Sequence, residues 1–199
     1  MMRSYGTREM ERATGLSVSP AAESSLLGRT SGRDNKKITA DEKSRLGRRK
    51  VGMDITWVTD RIAVGGGIWT ADNMAAVSRA GITHIIDMQI EFDDTRLAEP
   101  HEIKVCWNPV DDDFEAKPPA VFARGVEFAL TALNEPETKL FVHCAAGVHR
   151  APMMTLALLG VLGWSLEDGM DLIETRRPAA DFADVYVRSV ERYLLGLSH

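Results

Sequence analysis

The chain has 199 residues, 44% of them apolar, with two cysteines and a formal net charge of −5. This length suits one globular domain with an additional segment. No run of residues approaches the roughly 20 apolar residues of a membrane span, and two cysteines are too few for a disulfide scaffold. We therefore expect neither a membrane-spanning protein nor a small secreted one, and we predict a reducing, cytoplasmic location.

Charge and aromatic content divide the chain near Lys50. Residues 1–50 contain 12 Lys/Arg and six Asp/Glu, residues 51–199 contain 12 and 23, and 12 of the 13 aromatic residues follow position 50. A segment so poor in aromatic residues buries little apolar surface, which predicts a disordered basic leader over residues 1–52 and a folded domain over residues 53–199. The acidic domain argues against nucleic acid as a partner, because long-range repulsion would slow their encounter.

The domain alternates short apolar runs with segments of helical periodicity. The runs typical of strands are 61–64, 83–88, 104–110 and 139–142. The segments typical of helices are 70–80, with Met74 and Val77 inward, then 121–133, 151–162, 165–177 and a last helix that begins at Asp181. Alternation of this kind predicts an α/β domain with a central, mainly parallel sheet of about five strands flanked by helices.

The most informative stretch lies between a predicted strand and a predicted helix. Cys144 and Arg150 are separated by five residues there, with Gly147 among them. Five residues let successive N–H groups point inward, and the following helix adds its positive end, so the loop can bind a tetrahedral oxyanion. Positive surroundings favour the thiolate, the nucleophilic form of cysteine, and the planar fork of Arg150 can hold two phosphoryl oxygens.

The sequence His-Cys, five residues, Arg resembles the signature loop of the cysteine-dependent protein tyrosine phosphatase superfamily, and of its dual-specificity branch in particular. The resemblance extends over residues 55–195. It implies a dual-specificity-phosphatase-like fold without a cofactor. It also implies hydrolysis of phosphotyrosine, and of phosphoserine or phosphothreonine, in a protein or peptide partner through a phosphocysteine intermediate.

The resemblance also implies the roles of individual residues. Cys144 would be the nucleophile and Arg150 would bind the phosphoryl group, with His143 orienting the thiolate. Members of this branch carry an acidic catalyst about 32 residues before the cysteine, which selects Asp112 over its neighbours Asp111 and Asp113. The predicted substrate-binding residues are His143, Ala145, Ala146, Gly147, Val148 and His149.

One departure from the family pattern keeps two other functions open. Most members place Ser or Thr after the arginine, where this chain has Ala151. The Arg-Ala-Pro ending is similar to that of plant glucan phosphatases, as is the Ile-Ala-Val-Gly-Gly segment that begins at Ile62. A phosphoglucan phosphatase is therefore the alternative function, and a phosphate-binding module with little turnover is a third. Uncharged side chains in the loop argue against a phosphoinositide substrate.

The remaining candidate residues receive structural interpretations. Cys106 lies in an apolar strand and is expected in the core, with a disulfide to the signature cysteine as the alternative. We also expect Trp57 and Trp107 in the core. His84 and His101 do not have the spacing of metal ligands, so we assign no metal. His149 could tune the mouth of the pocket or be solvated. The oligomeric state is open.

Overall fold

The structure is a computed structural model that describes residues 52–197. The predicted leader lies outside the described residues except for Gly52, so its disorder and the domain boundary stay predictions. Within the described part of the chain there are five strands, β1 (Ile55–Trp57), β2 (Ile62–Gly65), β3 (His84–Asp87), β4 (Lys104–Trp107) and β5 (Leu140–His143). The α-helices are α1 (Ala71–Arg79), α2 (Thr95–Ala98), α3 (Pro119–Leu133), α4 (Arg150–Val161), α5 (Leu166–Arg176) and α6 (Asp184–Gly196).

The five strands form one sheet in the order β1-β2-β5-β3-β4. Only β1 runs antiparallel to its neighbour within this sheet, and the other pairs are parallel. The predicted α/β class with a mainly parallel sheet is therefore confirmed. Strand β5 occupies the centre, and its last residue, His143, directly precedes Cys144. The signature loop thus leaves the carboxyl end of the central strand, where ligands bind in open parallel sheets.

Two apolar clusters cover the two faces of the sheet. Leu140 and Val142 of β5 pack in the larger cluster with residues of α3, α4, α5 and α6. Phe141, between them in sequence, packs in the smaller cluster with residues of α1 and α2. Successive strand side chains point to opposite faces, so a fully apolar strand is buried on both sides. This explains why the central strands show continuous apolar runs.

The predicted helices begin and end close to the observed ones, with one exception. The Thr70 and Ser165 hydroxyls accept the backbone N–H groups of Asn73 and Asp168 and so cap α1 and α5. The prediction that the last helix begins at Asp181 was wrong, because α6 begins at Asp184. The backbone N–H of Asp181 donates instead to the carbonyl of Val148, 2.9 Å away in the signature loop.

Two further differences concern short elements. The loop predicted between β3 and β4 contains α2 and a 3-10 turn over Glu99–His101. Strand β1 has three residues and was not predicted, since so short a segment is defined by its pairing with β2. No helix in residues 52–197 has both the length and the apolar character needed to cross a bilayer.

Candidate active site

The signature loop curls around the sulfur of Cys144. This residue is buried, and the backbone N–H of Gly147 donates to its Sγ over 3.2 Å. Gly147 has a φ of +66°, and a Cβ there would lie 2.5 Å from the carbonyl oxygen of Gly65. Glycine is thus required both by the left-handed backbone and by the close approach of β2. The loop can close around the thiol only with this residue.

The carbonyl oxygens of the loop are held on its outer side. Ala145 accepts the N–H of Gly67 over 3.0 Å, and Val148 accepts that of Asp181. By contrast, four amides of the loop donate to no group within residues 52–197, those of Ala145, Ala146, Val148 and His149. Engaged carbonyls and unengaged amides are the arrangement of an anion-binding ring. Every residue predicted to bind substrate, apart from His143, therefore contributes backbone to this ring.

Arg177 fastens the ring from behind. Its guanidinium is buried and donates to the carbonyl oxygens of Gly147, 2.7 Å from Nε, and Ala146, 3.2 Å from Nη2. The same group binds both carboxylate oxygens of Asp54 at 2.9 and 2.6 Å and the hydroxyl of Thr56 at 3.1 Å. The hydrogen bonds from Arg177 lower the pKa of Asp54, against the effect of partial burial. One side chain thus ties the loop to the segment around β1.

Arg150 begins α4 with its side chain turned into the site. It is 3% exposed, and its two terminal nitrogens bind the carboxylate of Glu91 at 2.9 and 2.8 Å. Burial lowers its pKa, but the hydrogen bonds to Glu91 and the neighbouring charges of Cys144 and Asp112 raise it overall. The Nε atom is buried and has no hydrogen-bond partner among the described residues. An unpaired cationic donor beside the ring is available to an oxyanion.

Of the three consecutive aspartates, Asp112 faces the site. Its Oδ2 lies 3.8 Å from Nε of Arg150 and 3.1 Å from Nδ1 of His149, and its Oδ1 accepts the hydroxyl of Tyr186 at 3.0 Å. Asp111 is exposed and accepts only the N–H of Asp112. Asp113 is exposed and pairs with Lys117, which lowers the pKa of Asp113. The structure therefore places Asp112, which the family spacing selected, at the site and leaves Asp111 and Asp113 outside it.

The side chain of His149 is 18% exposed and makes two contacts with carboxylates at the edge of the site. Its Nε2 lies 3.2 Å from Oδ2 of Asp181, so the ring bridges this residue and Asp112. The ring of Phe114 meets it edge-on at 5.0 Å between centroids. The signature loop thereby contacts the loop of Asp112 and the segment before α6.

The ring nitrogens of His143 make no hydrogen bond within residues 52–197, so the ring does not orient Cys144 in this way. Its Nε2 lies 3.2 Å from Oδ2 of Asp94 and 3.8 Å from Oδ1 of Asp87, and all three side chains are fully buried. The carboxylate of Asp87 also accepts the backbone N–H groups of Gln89 and Asp94. One ligand-type atom from each of Asp87, Asp94 and His143 lies within 4.8 Å of the others. The spacing of these residues in the sequence gives no sign of the grouping.

Aromatic side chains flank the site at the surface. Trp69 is 43% exposed and Phe92 is 37% exposed, and their ring centroids are 6.0 Å apart. Phe92 follows Glu91, the partner of Arg150, in the sequence. The prediction that Trp107 lies in the core was wrong, because it is 39% exposed and its indole N–H donates to the carbonyl of Gln89. A position on edge strand β4 leaves one of its faces uncovered.

Cys106 and Cys144 are both free thiols, so the alternative of a disulfide between them is not realised. Cys106 is partly buried against the larger cluster, and burial raises its pKa. Ala151 is fully buried in the first turn of α4 and supplies no hydroxyl to the site. The side-chain hydroxyl that a serine or threonine would place at this position is therefore missing.

Three residues of the site were not predicted from the sequence. In the sequence, Arg177 stands at the end of a predicted helix, Glu91 between two predicted strands and Tyr186 in the predicted last helix. Arg177 contacts the loop across 30 residues of chain, Glu91 contacts Arg150 across 59, and Tyr186 contacts Asp112 across 74. No local pattern marks these residues, because the burial of Arg177 is visible only in the structure.

Comparisons with known proteins agree with this geometry. The family model of the dual specificity phosphatase catalytic domain matches residues 68–193. The crystal structure of PTPMT1 is similar at a TM-score of 0.64 and 17% identity, covering 72% of this chain and 96% of that one. Human DUSP28 has a TM-score of 0.62 at 18% identity, covering 75% and 98%. DUSP15 has a TM-score of 0.63 at 24% identity, covering 74% and 92%. No curated protein sequence matches the chain.

A buried thiol and an arginine around an amide ring, at the carboxyl end of a parallel sheet, define a cysteine-dependent phosphatase. Because the family model matches more than half of its length, the chain belongs to the dual specificity phosphatase catalytic domain family. It is a hydrolase, and its substrates are phosphorylated molecules.

The role of Arg177 can be measured by replacing it with lysine. A lysine cannot bind the two loop carbonyls and Asp54 together, so we expect kcat/KM for p-nitrophenyl phosphate to fall about tenfold or more and the inhibition constant of inorganic phosphate to rise. Arg176→Lys, at the exposed neighbouring position, is the control. Equal kinetics for the two variants would contradict this role.

The buried carboxyl of Asp87 predicts a pH dependence of stability. Burial raises its pKa to about 6, with His143 and the amide of Gln89 opposing the shift. Ionisation of Asp87 therefore costs more in the folded state than in the unfolded state. The contribution of this carboxyl to the free energy of unfolding is fully present below pH ~4 and is lost as the pH rises through about 6. The loss is roughly 3 kcal/mol.

In Asp87→Asn we expect the free energy of unfolding, relative to wild type, to increase by about that amount between pH 4 and pH 7. Urea unfolding at intervals of pH measures it, and loss of a hydrogen bond adds only a constant offset. Exposed Asp60→Asn is the control. A difference from wild type that does not vary with pH would show that Asp87 is not the titrating group.

Proposed function

We propose that this enzyme is a dual-specificity-type protein phosphatase that acts on phosphotyrosine, and on phosphoserine or phosphothreonine, through a phosphocysteine intermediate. The observation that carries the proposal is the convergence of Cys144, Arg150 and Asp112 on one ring of unengaged amides. These groups correspond to nucleophile, transition-state cation and general acid.

The first chemical step uses all three groups. The Cys144 thiolate attacks phosphorus, and the bond from phosphorus to the leaving oxygen breaks while Asp112 gives that oxygen a proton. The loop amides and the unpaired Nε–H of Arg150 bind the three phosphoryl oxygens, whose charge is redistributed in the transition state. Glu91 binds the two terminal nitrogens of the guanidinium and holds it in place, on the side away from Nε.

The second step returns the enzyme to its initial state. Water attacks phosphorus, its proton passes to Asp112, and the phosphorus–sulfur bond breaks to release the thiolate and inorganic phosphate. A hydroxyl that would stabilise the departing thiolate is absent at Ala151, which favours a slow second step. If the second step were slow enough, the protein would be a phosphate-binding module with little turnover. The presence of both Cys144 and Arg150 argues against that function.

Hydrolysis of phenyl phosphate tests the catalytic assignment. We expect Cys144→Ser to abolish turnover and Asp112→Asn to reduce it by roughly 10²–10⁴-fold, the range for loss of acid–base catalysis. Asp111→Asn and Asp113→Asn are matched controls on the same loop, and we expect them to change turnover little. Turnover by the Cys144→Ser variant would refute the nucleophile, and three equal losses would place the acid elsewhere.

A phosphoglucan is the second candidate substrate, and Trp69 and Phe92 favour it. Exposed aromatic rings beside a catalytic site offer apolar faces on which sugar rings can stack. The Trp69 ring lies on the backbone of Gly67, whose N–H donates to the signature loop. Trp69 also has a φ of +61°, an uncommon backbone conformation for a bulky residue, which is retained although the side chain is exposed.

Comparison of phosphate release from phosphotyrosine peptide, phosphoserine peptide and phosphorylated glucan separates the two candidates. If glucan is the substrate, we expect Trp69→Ala to lower kcat/KM for glucan about fivefold, the equivalent of ~1 kcal/mol of stacking, and to leave p-nitrophenyl phosphate unchanged. Leu195→Ala, on the exposed face of α6, is the control. Turnover of peptides without turnover of glucan would eliminate this candidate.

Two finer points accompany the proposal. A cytoplasmic location is supported by two free thiols in a chain with no other cysteine. PTPMT1 has also been crystallised with PI(5)P. In this chain the side chains of Ala145, Ala146 and Val148 are uncharged, so the loop offers no lysine to a second phosphate, and a phosphoinositide has less support than a phosphoprotein.

A further inference from the structure

The hydroxyl of Tyr186 joins α6 to the loop that carries Asp112. The ring is buried in the larger apolar cluster, 1% exposed, and its oxygen reaches two groups. It accepts the backbone N–H of Phe114 over 3.0 Å, and it lies 3.0 Å from Oδ1 of Asp112. The phenol therefore makes two hydrogen bonds within four residues of the acid loop.

The chemistry of the two partners fixes the direction of these bonds. An amide N–H can only donate, so the phenol oxygen accepts from Phe114, and its single proton is directed to the carboxyl of Asp112. Burial raises the pKa of the phenol, the hydrogen bond from the Phe114 amide lowers it, and the hydrogen bond to Asp112 and the charge of that residue raise it, to about 12 in total. The proton thus stays on the tyrosine at neutral pH.

We propose that Tyr186 is a positioning residue that occupies Oδ1 of Asp112 and so assigns Oδ2 to proton transfer. This inference rests on the proposed role of Asp112 as the general acid. Oδ2 lies 3.8 Å from Nε of Arg150 and 3.1 Å from Nδ1 of His149. When the His149 ring carries its proton on Nε2, toward Asp181, Nδ1 is an acceptor, so Oδ2 carries the proton that Oδ1 cannot hold. In the first step the proton on Oδ2 passes to the leaving oxygen, and in the second step Oδ2 takes a proton from the attacking water.

The backbone of the acid loop supports the same interpretation. Phe114 has a φ of +56°, a left-handed conformation that is uncommon for an aromatic residue. Its ring stacks on that of Tyr186 with centroids 5.8 Å apart and planes 14° apart. Ring stacking and the bond to the Phe114 amide hold this turn, which places the carboxyl of Asp112 two residues earlier. His149 contacts the other oxygen and so does not replace Tyr186.

The experiment compares two aryl phosphates in Tyr186→Phe, which keeps the stacked ring and removes the hydroxyl. Phenyl phosphate has a strongly basic leaving group that needs a proton, whereas p-nitrophenyl phosphate has a weakly basic leaving group that needs less help. We expect kcat/KM for phenyl phosphate to fall about 10–100-fold and that for p-nitrophenyl phosphate to fall much less. The ratio of the two values reports proton donation independently of enzyme stability.

Tyr193→Phe is the matched control. This tyrosine lies on the same helix, is 6% exposed and packs against Phe122, and its hydroxyl makes no hydrogen bond within residues 52–197. We expect its substrate ratio to equal that of wild type. If the cause were a general loss of packing on α6, kcat/KM would fall equally for both substrates in both variants. That result would overturn the inference.

Asp112→Asn in the same assay separates the inference from the proposed function. If this variant changes the substrate ratio and Tyr186→Phe does not, Asp112 is the acid and Tyr186 does not position it. If neither variant changes the ratio, the assignment of Asp112 itself is wrong. If both change it in the same direction, with the larger effect in Asp112→Asn, the inference holds.

Discussion

The site depends on keeping a ring of backbone amides open without an anion inside it. Unpaired N–H groups that point at one another repel, and a free loop would turn some of them outward to water. Here the carbonyl side of the loop is held instead, by Arg177, by the amide of Gly67 and by that of Asp181. Once the carbonyls are fixed, the amides have no other direction available, and the oxyanion site is preorganised.

The fixed loop carbonyls explain how a positive site exists in a domain with nearly twice as many acidic as basic residues. Within residues 52–197 both buried arginines are paired with a carboxylate, Arg177 with Asp54 and Arg150 with Glu91. Neither pair leaves a net charge, so the attraction for phosphate comes from amide dipoles, the start of α4 and the unpaired Nε of Arg150. Such a field is short in range, so any recognition of a substrate beyond its phosphate requires the surrounding surface.

The proton-transfer side of the site is assembled from distant parts of the chain. Asp112 comes from the loop after β4, His149 from the signature loop, and Asp181 and Tyr186 from the segment around the start of α6. Since α6 also packs in the larger apolar cluster, the position of the acid is coupled to the core and not to the loop alone. The same segment binds Val148, so α6 aligns the acid and the anion ring together.

The sequence by itself determined most of the longer elements and the spacing of Cys144 and Arg150. Apolar periodicity and caps such as Thr70 and Ser165 act over a few residues, and the spacing of Cys144 and Arg150 is local, so both could be predicted. Asp112 could be selected among three aspartates only through the family spacing. Strand β1, the partners of His143 and the roles of Glu91, Arg177 and Tyr186 were decided by tertiary structure. Strand β1 pairs with β2 across only 6 to 10 residues but is too short to predict. The contacts of the four side chains span 30 to 123 residues, and no local pattern encodes which buried polar group will meet which partner.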